Sequence, residues 1–231
     1  MFPSEENGMQ IKIFTILAFA VAAAAFAYGA ATMFRRGTAK YFQLYVCAAG
    51  CFVLEELWVI VNSLLGNGHE DGLVTVRLIG LFGCLCFMLS ANAAGFDKAV
   101  DDGSHKAIRG VSLAAPAVLA VIAALYIMHP VHAGRRLTAS VGCLSVLPAI
   151  FASYFDMKHL LLPNDELGFL AATRGISLFS LLFYAVNFVY PFFDLTVGRV
   201  AMGVIDLAIS VLLSVIVILC RKGAAAWQTL V

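Results

Sequence analysis

The chain has 231 residues, of which 62% are hydrophobic and only 13% charged, with a formal net charge of +1 and a mean hydropathy of +0.93. Soluble domains carry about 25% charged residues, so this composition excludes a water-soluble globule. The near-neutral balance leaves no basic footprint for nucleic acid.

A bilayer core about 30 Å thick needs roughly 20 apolar residues in helical form. Seven such runs are predicted, at about 11–34, 41–65, 73–96, 108–128, 137–157, 168–191 and 197–220. The first run follows an acidic start (Glu5, Glu6) and is too long for the apolar core of a secretory signal, so it reads as a span. Its small residues, AFAVAAAAFAYGA, permit close helix approach, as do Gly80 and Gly83 in the third. Short polar connections rich in Gly, Pro, Asn and Asp separate the runs. In the fifth connection Pro163, Asn164 and Asp165 read as a turn, with Asn164 or Asp165 capping the next helix. The expectation is an all-α integral membrane protein, one seven-helix domain covering 1–231.

Basic residues orient it. Ten of the fifteen, including Arg35, Arg36, Lys98, Lys106, Lys158, Arg174, Arg221 and Lys222, fall on one side, and Lys12, Arg77, Arg135, Arg136 and Arg199 on the other. Positive charge marks the cytoplasmic side, which puts the N-terminus outside and the C-terminus in the cytoplasm.

The second run, YFQLYVCAAGCFVLEELWVIVNSLL, carries two formal charges, Glu55 and Glu56. An ionised acid near a bilayer centre costs roughly 2.5–3.5 kcal/mol on insertion scales, which makes such residues functional candidates. At 1.5 Å per residue Glu55 lies about 15 Å below the outer end of its helix, and Asp206 in the seventh run is about 14 Å deep. Arg77, Asn62 and Asn187 fall in the same outer half. Cys47, Cys51, Glu55, Trp58 and Asn62 share a helical stripe, which points Glu55 toward a pocket. Glu56, turned by about 100°, is expected to reach a neighbouring helix and form a structural ion pair with Arg77. The candidate ligand- or proton-binding set is therefore Glu55, Asp206, Trp58, Asn62, Arg77 and Asn187. Its excess of acid suits a cation, an amine or a proton.

No metal or cofactor is expected. Cys47, Cys51, Cys84, Cys86, Cys143 and Cys220 lie in apolar segments, where a thiol acts as a small hydrophobe. His69, His105, His129, His132 and His159 fall in or beside connections, so haem or zinc spacing is lacking. No serine–histidine or cysteine–histidine pair shares a depth, which leaves an enzyme without a nucleophile and base. Glu55-Glu56 resembles the paired glutamates of glutamate-type intramembrane proteases, but the in-membrane histidines of that group are missing.

Two further resemblances bear on the plan. AKYF opening the second run, NSLLG closing it and VIDLAISV in the seventh resemble microbial rhodopsins. In that family a retinal-linking lysine follows the aspartate at Asp206 by four residues; here that position is Ser210, which excludes a retinal Schiff base. TVRLIGLFG in the third run and TVGRVAMG in the seventh resemble the repeat of three-plus-one-plus-three sugar exporters, which implies a substrate site at the repeat interface near the midplane. The paired prolines of those exporters are absent.

The reading is a small multi-pass carrier in the cell membrane, proton- or ion-coupled, with a central acidic site reached from outside. The alternative is a seven-helix sensor that binds a small ligand and signals through a partner protein, because GAAAWQTLV after Lys222 is too short for an output domain. Expected partners are the lipid bilayer, a cation, amine or other small molecule, and a second copy or another membrane protein.

Overall fold

The computed structural model describes residues 5–65, 70–93, 97, 105–129, 143, 146–162, 170–196 and 199–228. Among these no strand occurs. The helices are α1 (Glu5–Met33), α2 (Lys40–Leu65), α3 (Glu70–Ala91), α4 (Lys106–Ser112), α5 (Ala114–Met128), α6 (Leu147–Leu161), α7 (Leu170–Thr196) and α8 (Arg199–Gln228). The expected turn at 163–165 lies outside the described residues, as do Arg135, Arg136 and the stretch 137–142 that was to open the fifth span.

Four stretches are long and apolar enough to cross a membrane: Ile13–Met33, Lys40–Asn62, Lys106–Met128 and Gly203–Gln228. The third of these is α4 and α5 in series. Pro116 accounts for the break between them, since it has no N–H to give to the carbonyl of Ser112 four residues back. The chain bridges the gap with a three-residue bond, Leu113 N to Gly110 O at 3.3 Å, and resumes α-helical bonding with Ala117 N to Leu113 O at 3.2 Å.

Several helix ends differ from expectation, two of them beside polar contacts that position the bundle. Helix α6 runs past 157 to Leu161, with Lys158 and His159 in its last turn, where cations suit the carbonyl end of the dipole. Helix α8 runs past 220 to Gln228. Its Ala224–Ala226 stretch favours helix, Ala224 is buried, and Gln228 Nε2 donates to Thr38 Oγ1 at 3.3 Å. Arg221 and Lys222 therefore lie inside a helix and do not end one.

The helices form a closed ring in which α1 packs on α8 and α2, α2 on α3, α3 on α6, α6 on α7 and α7 on α8, with α2 also touching α8. The α4–α5 rod sits to one side, against α6 and α7. Glycine makes several of these approaches close. A methyl on Gly29 of α1 would stand 3.0 Å from both Val217 and Val46, and one on Gly203 of α8 would stand 2.9 Å from Phe14. In lipid, such van der Waals fit replaces the hydrophobic drive between helices.

The core runs through α2, α3, α7 and α8, with Phe42, Tyr45, Phe52, Leu85, Met88, Phe183, Tyr184, Leu213 and Ile216 buried. Large apolar side chains also face outward on most helices, among them Ile16, Leu54, Ile79, Val118, Leu125, Phe151, Leu182, Val211 and Ile218. An outer surface this apolar suits lipid and not water, so the chain is a membrane protein.

Candidate functional site

Helix α2 buries two adjoining faces. One carries Tyr41, Tyr45, Ala49, Phe52 and Glu56, each buried and spaced by three or four residues. This face meets the bundle interior, where the Phe52 and Phe183 rings lie 6.3 Å apart at 71°. The other face carries Cys47, Cys51 and Glu55 and forms the seam with α3. A methyl on Gly83 would stand 3.2 Å from Cys51 Sγ, and one on Gly80 would stand 2.5 Å from Glu55 Cβ and 3.0 Å from its Oε2. Glycine at position 80 is thus what lets the Glu55 side chain lie between the helices.

This arrangement redraws the expected stripe. Glu55 and Glu56 are equally buried, each 3% exposed, so burial does not separate a pocket acid from a packing acid. Glu55 meets its neighbour helix directly, and Glu56 continues the interior face. Trp58 is 44% exposed, and Asn62 is half-buried. Asn187 on α7 donates its Nδ2 to Phe183 O of its own helix at 2.8 Å, and Asp206 on α8 is half-buried. Arg77 belongs to α3, but its side chain lies outside the described residues, and with it the expected pair with Glu56.

A second polar cluster lies toward the other end of α2, the end that carries the 33–40 connection. Its centre is Asp156 of α6, fully buried, a residue that sequence reading passed over. Tyr184 of α7 donates its hydroxyl to Asp156 Oδ2 at 2.9 Å. Asn92 Nδ2 approaches the same oxygen at 3.3 Å, Tyr45 Oη at 3.4 Å and Met88 O at 3.2 Å. Tyr45 Oη in turn lies 3.4 Å from Ser180 Oγ. The backbone at Asn92 and Ala93 widens from α- to π-helical turns as α3 ends, a distortion that often accompanies functional side chains. Ser177 of α7 and Cys220 of α8 also face the carboxylate, so five helices contribute.

Small residues on α6 make room for this cluster. Ala149, Ala152, Ser153 and Asp156 form its buried face, and that spacing was the available signal for Asp156. It was obscured because Lys158 and His159 follow at once and read as the edge of a span.

Just beyond the cluster, at the foot of α6, Asp97 forms a salt bridge with Lys158 and lies 3.1 Å from His159 Nε2. Lys158 also stands 5.6 Å from the Tyr154 and Phe155 ring centroids. Partial burial works to raise the Asp97 pKa, but the hydrogen bonds from His159 and Lys158, with their positive charge, outweigh it and hold the carboxyl below its ordinary value. Close by, Arg174 of α7 donates to the carbonyl of Leu162 just past the end of α6, one of the carbonyls a helix end leaves without an internal partner.

Among the described residues no group of three or more His, Cys, Asp or Glu comes together as a metal-ligand set. The chain matches no known protein family, no curated protein and no solved structure at a significant level.

Proposed function

We propose that the chain is a seven-span protein of the cell membrane, N-terminus outside, that works as a proton- or ion-coupled carrier for a small molecule. The observation that carries this reading is the burial of Glu55 and Glu56, 3% exposed each, in the middle of a helix long and apolar enough to cross a membrane. A charge held at that depth costs several kcal/mol and is retained where it binds or moves something. Glu56 stands on the interior face of α2, with Glu55 beside it on the α3 seam, and these two acids are the coupling groups. Asp206 completes the acidic site, with Asn62, Asn187, Arg77 and Trp58 around it. The excess of acid favours a cation, an amine or a proton as the coupled species.

The span count is supported by the seven apolar runs of the sequence, four of which are long and apolar enough to cross a membrane among the described residues, and the orientation by the ten-to-five split of basic residues. A cysteine placed in the 97–106 connection should label only after the cells are opened. Labelling from outside intact cells overturns the orientation.

The function itself is tested in proteoliposomes holding a pH-sensitive dye, to which amines, sugars and Na+ are added from outside. Wild-type protein should move protons with at least one of these probes, and Glu55→Gln and Glu56→Gln should each reduce the flux at least tenfold.

A further inference from the structure

We infer that the Asp156 cluster is a binding site for a monovalent cation of the sodium class. The site is separate from the Glu55–Glu56 layer and does not rest on the carrier reading. The inference starts from three oxygens. Asp156 Oδ1, Asn92 Oδ1 and Ser177 Oγ are fully buried and none makes a hydrogen bond of good geometry within the protein. A buried polar atom left in this state costs about 1–3 kcal/mol, so native proteins rarely keep one, and three in one cluster call for a shared partner.

They are neighbours. Asn92 Oδ1 belongs to the amide whose nitrogen lies 3.3 Å from Asp156 Oδ2, and Ser177 faces the same carboxylate. The two donors of good geometry both reach Oδ2, the Tyr184 hydroxyl at 2.9 Å and the Asn92 amide at 3.3 Å, while Ser177 and Tyr45 approach the carboxylate more loosely. Asp156 Oδ1 takes neither of these donors. Tyr184 and Asn92 therefore hold one side of the carboxylate and aim the other.

The chemistry of the three oxygens selects the ligand. A carboxylate, an amide carbonyl and a hydroxyl are hard donors that suit alkali and alkaline-earth cations and not soft metals. One carboxylate among neutral oxygens matches a single positive charge, whereas divalent sites gather several carboxylates. Among the described residues no basic side chain pairs with Asp156. Lys158, two residues along α6, engages Asp97, and Arg174 engages the Leu162 carbonyl. A proton on Asp156 Oδ1 would serve that oxygen and one acceptor; a cation can serve all three and supplies the countercharge.

The test uses the purified full-length chain in detergent, melted in NaCl and in choline chloride at matched ionic strength. Sodium should raise the melting temperature saturably, by about 3–5 °C at saturation. Asp156→Asn should abolish the rise, and Ser177→Ala should move the half-saturating Na+ concentration up about tenfold. Thr32→Val, on α1 with its hydroxyl in an exposed bond to Tyr28 O, should keep the wild-type response. Equal melting of wild-type protein in the two salts overturns the proposal, as does a sodium rise that survives Asp156→Asn. Should Asp156→Asn fail to fold, Ser177→Ala decides, because an unshifted half-saturation point overturns the site.

Discussion

The two polar layers of the bundle set buried carboxylates in different places. At one level Glu55 and Glu56 are buried on adjoining faces of α2, with Gly80 against the Glu55 stem and Phe52 and Phe183 on the interior face. At the other, Asp156 is enclosed by dipoles, the Tyr184 hydroxyl and the Asn92 amide directed at it and the Tyr45 hydroxyl of α2 beside them. A charge surrounded by oriented dipoles is held in one geometry. On the proposed reading the layers divide the work, with Glu55 and Glu56 exchanging the coupled ion and the Asp156 layer fixing the geometry of the bundle beside it.

That comparison can be broken by substitution. The largest effect is expected from Gly80→Leu, which forces a side chain into space that already places a bare methyl 2.5 Å from Glu55 Cβ. Overpacking of this kind costs about 3 kcal/mol, enough to part α2 from α3 and to lower the melting temperature markedly in a detergent melt. Asp156→Ala should cost about 2 kcal/mol, because it leaves the Tyr184 hydroxyl and the Asn92 amide buried without their acceptor. Tyr184→Phe removes one donor and should cost about 1 kcal/mol in the same assay. If Asp156→Ala proves as mild as a surface change, the dipole cage is not what holds that layer.

A smaller effect is expected at the foot of α6. The Asp97 carboxyl has a folded-state pKa below its unfolded one. Its contribution is therefore complete above the ordinary carboxylate value of about 3.9 and disappears as pH falls through the folded value. Between about pH 5 and 7 Asp97→Asn should be less stable than wild type by a constant amount, under about 1 kcal/mol for a partly exposed pair. The gap should close on acidification below about pH 4. A gap that instead grew with falling pH would mean that the partners of Asp97 have been misassigned.

Much of the architecture was legible because it follows from composition. Long apolar runs in lipid must be helical, and among the described residues four stretches are helical, long and apolar enough to cross a membrane. Helix ends were harder to read. Arg221-Lys222 looks like a membrane edge, yet local propensity and the Gln228–Thr38 contact carry α8 on to residue 228.

The acids divided in the same way. Glu55 and Glu56 stand out because a charge inside an apolar run has no bland reading. Asp156 was hidden by the Lys158-His159 pair beside it. Its significance comes from Asn92, Ser177 and Tyr184, which are distant in sequence and individually ordinary. The α2 stripe was misjudged for a geometric reason. A helix with neighbours on two sides buries two faces, and a 3.6-residue period alone does not say which face meets the interior.

The division of labour between the layers is tested most directly by proton flux in proteoliposomes loaded with a pH-sensitive dye, comparing wild type, Glu56→Gln and Tyr184→Phe under one externally added panel of amines, sugars and Na+. The account predicts that Glu56→Gln loses at least nine-tenths of the wild-type flux while Tyr184→Phe keeps most of it. Full flux in Glu56→Gln, Glu55→Gln and Asp206→Asn alike would contradict it.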